Sequence, residues 1–144
     1  MNLTMRVDVD AAPETVFAAA TDWERQGEWM LGTTVRACRG DGRSVGSTLE
    51  AVTGIRGIGV TDRMEITVWD APARCEMRHL GRVVRGIGIF AVQPRGRDAA
   101  TFEWTEQLGE AYLADPAAVM DAVQTREWGR IGHRFVEVAQ VRQY

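Results

Sequence analysis

The chain reads as an α+β protein: a curled antiparallel sheet of about seven strands around one long C-terminal helix. Three observations predict this. Met1 to Val9 alternates apolar and polar residues at period two, the mark of a half-buried strand. Thr33 to Leu108 repeats such alternation between turn signals. From Asp115 to Val141 nothing breaks a helix outright, and Ile131, Phe135 and Val138 fall on one stripe at helical spacing, with Trp128 at its edge. One helix cannot cover a flat sheet of seven strands, so the sheet must curl around it. The space between them is then either filled or used.

Each element has its own signal. In the first strand Leu3, Met5, Val7 and Val9 share a face. Pro13 and Glu14 suit the first turn of a helix, whose inward face is Val16, Phe17 and Ala20. Thr21-Asp22 is a capping pair for a second short helix, Trp23 to Met30, anchored by Trp23 and Trp29. Arg39-Gly40-Asp41-Gly42 is a turn with glycines able to take positive φ. Thr48 to Val52 reads as a strand, and Gly54, Gly57 and Gly59 predict a loop or a bulged hairpin. Arg63 to Trp69 places Met64, Ile66 and Val68 on one face. After the Asp70-Ala71-Pro72 turn, Arg74 to Leu80 sets Cys75, Met77 and His79 against Arg74, Glu76 and Arg78. Gly81 turns the chain. Val83 to Val92 is apolar on both faces and so central. Pro94 to Asp98 turns it again into Ala99 to Leu108, with Phe102 and Trp104 on one face. Asp115-Pro116 is an N-cap and first-turn pair for the last helix. No repeat or linker divides residues 1–144, which read as one domain.

Composition narrows the function. At 144 residues folding should bury about 70% of the unfolded surface, enough for a core without staples. With 45% hydrophobic and 26% charged residues the chain is not a disordered tail. A net charge of −3 argues against bulk attraction to nucleic acid or anionic membrane. The longest uncharged run, Gly86 to Pro94, is far short of a membrane span, so no membrane insertion is expected. The N-terminus shows no basic region followed by an apolar stretch, and a cytoplasmic location is expected. All 17 basic residues are arginine, which excludes a Schiff-base lysine, a P-loop lysine and a Ser-Lys dyad. Cys38 and Cys75, with His79 and His133, have no metal-ligand spacing, so no metal and no cofactor is expected. Gly54 to Gly59 is not a phosphate-binding loop, and Ser44 and Ser47 lack a nucleophile elbow.

The concave face is the informative part. Pairing across the Pro94–Asp98 loop is expected to set Phe90 against Phe102, Gly88 against Trp104 and Gly86 against Glu106, the glycine giving the indole room. That face would carry Phe90, Phe102, Trp104 and Glu106, with Met64, Ile66, Met77 and His79 on neighbouring strands. Methionines suit an adaptable apolar pocket. Parity makes Glu106 and His79 the inward polar groups and the candidate acid-base pair. A carboxyl in apolar surroundings has a raised pKa, and histidine titrates near neutrality. The six arginines between Arg74 and Arg97 read as a solvated sheet face, or alternatively as an anion-attracting rim at Arg82 and Arg85.

The element order, with Ala11-Ala12-Pro13-Glu14-Thr15-Val16-Phe17 followed by Asp22-Trp23-Glu24-Arg25 and Trp29, resembles the START/Bet v 1-like (SRPBCC) superfamily, in particular its bacterial polyketide cyclase/dehydrase branch. The resemblance extends over the Gly81–Trp104 strand pair and the final helix, where Trp128, Gly129 and Gly132 depart from the pattern. It implies a helix-grip fold with a cavity for a lipid- or polyketide-like molecule between sheet and C-terminal helix. The residues expected to line it are Trp29, Met64, Ile66, Met77, His79, Phe90, Phe102, Trp104, Glu106, Trp128, Ile131 and Phe135. Binding of a small hydrophobic molecule is the first expectation. The alternatives are a cyclase/dehydrase enzyme using the same cavity, and a toxin-like or regulatory protein-interaction module. The motifs are structural rather than catalytic, so they leave the partner and the reaction open.

Overall fold

The computed structural model describes residues 2–30, 32–55, 58–81, 85–108 and 126–143. In chain order the elements are β1 (Asn2–Val9), α1 (Pro13–Ala20), a 3-10 helix (Trp23–Glu28), β2 (Thr33–Arg39), β3 (Thr48–Ile55), β4 (Ile58–Asp70), β5 (Arg74–Leu80), β6 (Arg85–Pro94), β7 (Ala100–Leu108) and α2 (Arg126–Gln143). The strands form one antiparallel sheet in the order β1-β7-β6-β5-β4-β3-β2. Strands β2 to β7 are a simple meander, and β1 closes onto β7 from the other side. The α1 and 3-10 segment carries the chain from one sheet edge to the other. Together with α2 this is the helix-grip architecture. Among the described residues no helix is long and apolar enough to cross a membrane.

Most predicted elements lie where the patterning places them, and four details differ. Asp22 makes no capping hydrogen bond with its side chain. It accepts one from Arg142 Nη1 at 2.7 Å, tying the end of α2 to the short helices. Gly54 and Gly59 do not break the chain: they pair with each other inside the β3–β4 ladder, so β4 begins five residues before Arg63. A bulge between Ile66 and Val68 reverses the parity of β4, so Trp69 rather than Val68 packs on the core, edge-on to Phe17 at 5.1 Å. The β6–β7 register is shifted by two residues from the expected one. Phe90 pairs with Trp104, Gly88 with Glu106 and Gly86 with Leu108. The inward parity is unchanged, but the glycine makes room for a carboxylate and not for an indole.

The final helix is also turned relative to expectation. Its innermost residues are Gly132, Phe135 and Ala139, while Ile131 and Val138 lie partly buried on the flanks. Small residues let the helix backbone approach β1. A Cβ at Gly132 would stand 2.9 Å from Val7 Cγ1 and 3.0 Å from Met5 Sδ. His133 is exposed, as its position two residues from Ile131 requires. The Asp115–Pro116 pair, Gly57, Arg82 and the side chain of Trp128 lie outside the described residues.

Candidate functional site

Four adjacent strands run from apolar to polar along their inward faces. In β4 the series is Ile66, Met64, Asp62; in β5 it is Cys75, Met77, His79; in β6 it is Val92, Phe90, Gly88; in β7 it is Phe102, Trp104, Glu106. The apolar ends pack into a solid core. The polar ends converge.

His79 and Glu106 sit on strands separated by β6, so their backbones are roughly 10 Å apart. They meet because the inward positions of β6 between them, Gly86 and Gly88, have no side chains. A Cβ at Gly88 would lie 3.0 Å from Glu106 Oε1. Across this gap His79 Nε2 stands 2.8 Å from Glu106 Oε2. On its other side His79 Nδ1 lies 2.9 Å from Asp62 Oδ2 and 3.0 Å from Oδ1. Trp104 Nε1 donates to Glu106 Oε1 at 2.9 Å. Asp62, His79, Glu106 and Trp104 thus form one continuous polar line.

The His79 side chain is almost fully buried, and the two carboxylates are largely so. Burial disfavours the imidazolium, but hydrogen bonds and charge from Asp62 and Glu106 outweigh it and raise the His79 pKa to about 10. The expected titration near neutrality is therefore corrected: two carboxylates hold the proton on the ring. At neutral pH His79 donates from both nitrogens, which fixes its orientation. It is not a free base in this state. By contrast the Cys75 thiol is pushed up to about 12 by burial and by Glu76, which leaves it a core residue without reactive character.

This line borders a cavity of about 100 Å³ beneath the 3-10 helix. Of the residues expected at a ligand site, Met64, Met77, Phe90, Trp104, His79 and Glu106 lie on its wall. Trp29, Ile66, Phe102 and Phe135 do not; they are fully buried in the solid core, where Phe102 and Phe135 pack at 4.2 Å between ring centroids and Trp29 touches both. Ile131 packs on the flank of that core. Among the described residues the Trp29 indole N–H has no hydrogen-bond acceptor and is enclosed by aromatic rings.

Sequence reasoning missed Asp62, Trp23, Gln26, Met30, Thr33 and Ala51 on the cavity wall. Asp62 is legible in principle, since it continues the Ile66, Met64 alternation one step before the predicted strand start at Arg63. The others come from the short helix and from β2 and β3, whose placement over the cavity is a tertiary effect. The arginine face is solvated: Arg74 pairs with Glu76 at 2.6 Å and Arg78 with Glu65 at 3.9 Å. Arg85 is exposed. Among the described residues no cluster of histidine, cysteine and carboxylate side chains could hold a metal ion.

Comparison with known proteins agrees with this architecture. A family model described as polyketide cyclase / dehydrase and lipid transport matches residues 1–137. No curated protein matches the chain. Among solved structures the fold is similar to the Aha1 dimer from Colwellia psychrerythraea, at 16% identity over 100% of this chain and 99% of that one, with a TM-score of 0.68. It is similar to a START superfamily protein from Mycobacterium smegmatis, at 15% identity over 99% and 96% of the two chains, TM-score 0.69. It is also similar to the di-domain ARO/CYC BexL from the BE-7585A biosynthetic pathway, at 14% identity over 93% of this chain and 46% of that one, TM-score 0.69. At such identities the likeness to these structures is one of fold. The family model spans nearly the whole chain, and the protein belongs to the polyketide cyclase/dehydrase and lipid-transport family.

Proposed function

We propose that this protein binds a small, largely apolar molecule in the cavity at the polar end of the sheet, acting in the cytoplasm. The observation that carries this reading is the Asp62–His79–Glu106 line bordering an apolar-walled space instead of solid core. Buried charges of this kind are costly to keep, and replacing them with apolar groups is often neutral or stabilising. Their presence at a cavity wall fits a recognition role. The volume suits a short or compact group, being smaller than the roughly 300 Å³ at which drug-sized pockets begin.

Native mass spectrometry of freshly purified protein tests this, with a retained small mass as the expected result. Trp104→Ala should weaken binding of a hydrophobic fluorescent probe, since the indole is part of the cavity wall. Unchanged probe affinity in the folded variant would count against the cavity as the site.

A second reading, a cyclase or dehydrase, is favoured by one feature: three proton-exchanging groups in contact beside the cavity. In it the Glu106 carboxylate accepts a proton from carbon next to a carbonyl, and the neighbouring His79 imidazolium steadies the charge that develops. Glu106→Gln should then abolish turnover of a polyketone; full activity would remove Glu106 from that role.

A further inference from the structure

The proton count of the polar line specifies the ligand's charge. Each ring nitrogen of His79 faces a carboxylate oxygen at 2.8 to 3.0 Å. Each contact requires one proton, on the nitrogen or on the oxygen it faces. Imidazole and two carboxylates sharing those two protons carry a net charge of −1, wherever the protons sit. Among the described residues no arginine lines the cavity. Arg78 and Arg85 have the outward parity of their strands.

The indole donors of the wall are engaged as well. The indole N–H of Trp104 goes to Glu106, that of Trp23 to Gly42 O at 2.8 Å, and the Gln26 amide donates to Ala20 O at 3.1 Å. Both indole N–H groups, and one of the two Gln26 amide N–H bonds, are engaged by protein acceptors. A carboxylate oxygen, however, has a second lone pair beyond one accepted bond. The same wall holds three aromatic rings, Trp23, Phe90 and Trp104, with Phe90 at 6.1 Å from Trp23 and 5.6 Å from Trp104 between centroids. Aromatic rings beside desolvated negative charge are the chemistry that recognises ammonium groups.

We propose that this cavity selects a compact organic cation, an ammonium head seated among the Trp23, Phe90 and Trp104 rings and the Asp62 and Glu106 carboxylates. The proposal rests on the reading of the cavity as a ligand site, and it specifies the polar end of that ligand. A carboxylate would meet net negative charge, and a neutral ligand would gain nothing from it.

The test uses the whole wild-type chain and three probes that share a tert-butyl body: tert-butylammonium, tert-butanol and pivalate. Each is titrated at neutral pH while the indole N–H signals of Trp23 and Trp104 are followed by NMR. The expected result is that tert-butylammonium binds roughly tenfold or more tightly than tert-butanol, and that pivalate moves neither signal. Asp62→Asn, which takes one carboxylate from the seat, should lower the ratio of tert-butylammonium to tert-butanol affinity several-fold. If tert-butanol or pivalate binds as tightly as the ammonium, the charge preference is overturned and the pocket reading stands. If none of the three moves the indole signals, both fall together.

Discussion

The two ends of one sheet face are built from the same alternation and do opposite things. At the β1 and α2 end, Phe102, Phe135 and Trp29 interlock and are fully buried beside Val9 and Ala139. At the other end the same strands present Asp62, His79 and Glu106 to a cavity. The transition takes four residues along β7, from Phe102 through Trp104 to Glu106, two inward-facing steps. The difference shows how little is needed to convert core into site. Helix α2 seals one end through small residues on its inner face, and two glycines in β6 clear the other so that groups from β5 and β7 can meet.

The largest expected effect falls on the sealed end. Phe135→Ala should cost about 3–5 kcal/mol, the usual range for emptying an aromatic core position. His133→Ala, two residues away and exposed, should change stability by less than about 0.5 kcal/mol. Denaturant melts of both variants measure this. Near-neutral Phe135→Ala would mean that the solid end is not solid.

A smaller, pH-dependent effect belongs to the open end. His79→Gln should cost about 1–3 kcal/mol near neutral pH, the range for leaving buried polar partners unsatisfied. The folded state holds the His79 proton more tightly than the unfolded chain, whose value is 6.5. That contribution is complete below about 6.5 and is lost as the pH rises through about 10. The gap between wild type and His79→Gln should therefore narrow across that window. A gap that widens with pH would contradict the charged line.

Two helix glycines, whose substitutions carry opposing contributions, separate seat from surface. Gly129→Ala has open space around the new methyl group and should gain about 0.5–1 kcal/mol from helix propensity. Gly132→Ala meets Val7 and Met5 within 3.0 Å and should forfeit that gain, by the roughly 1–3 kcal/mol that overpacking costs. Equal stabilisation by both would show that α2 does not seat closely on β1.

Much of this was legible in the sequence because period-two alternation is a local signal. It located β1, β5 and β7 nearly to the residue and placed His79 and Glu106 on the inward face. What was not legible depends on partners distant in the chain. The two-residue shift between β6 and β7 preserves parity, so no hydrophobic pattern distinguishes the two registers. The bulge at Ile66–Val68 and the inclusion of Asp62 in β4 depend on pairing with β3 and β5. The His79 pKa could not follow from Glu106 alone, because its second carboxylate, Asp62, precedes the strand that the alternation predicts from Arg63.

The most direct test of the account is the protonation state of His79, read from its imidazole nitrogen shifts by NMR between pH 6 and pH 10. The prediction is an imidazolium with both nitrogens protonated through neutral pH, giving up its proton only toward about 10. A His79 ring that titrates at the ordinary histidine value of about 6.5 would show that Asp62 and Glu106 do not hold it, and the charged line at the cavity wall would be wrong.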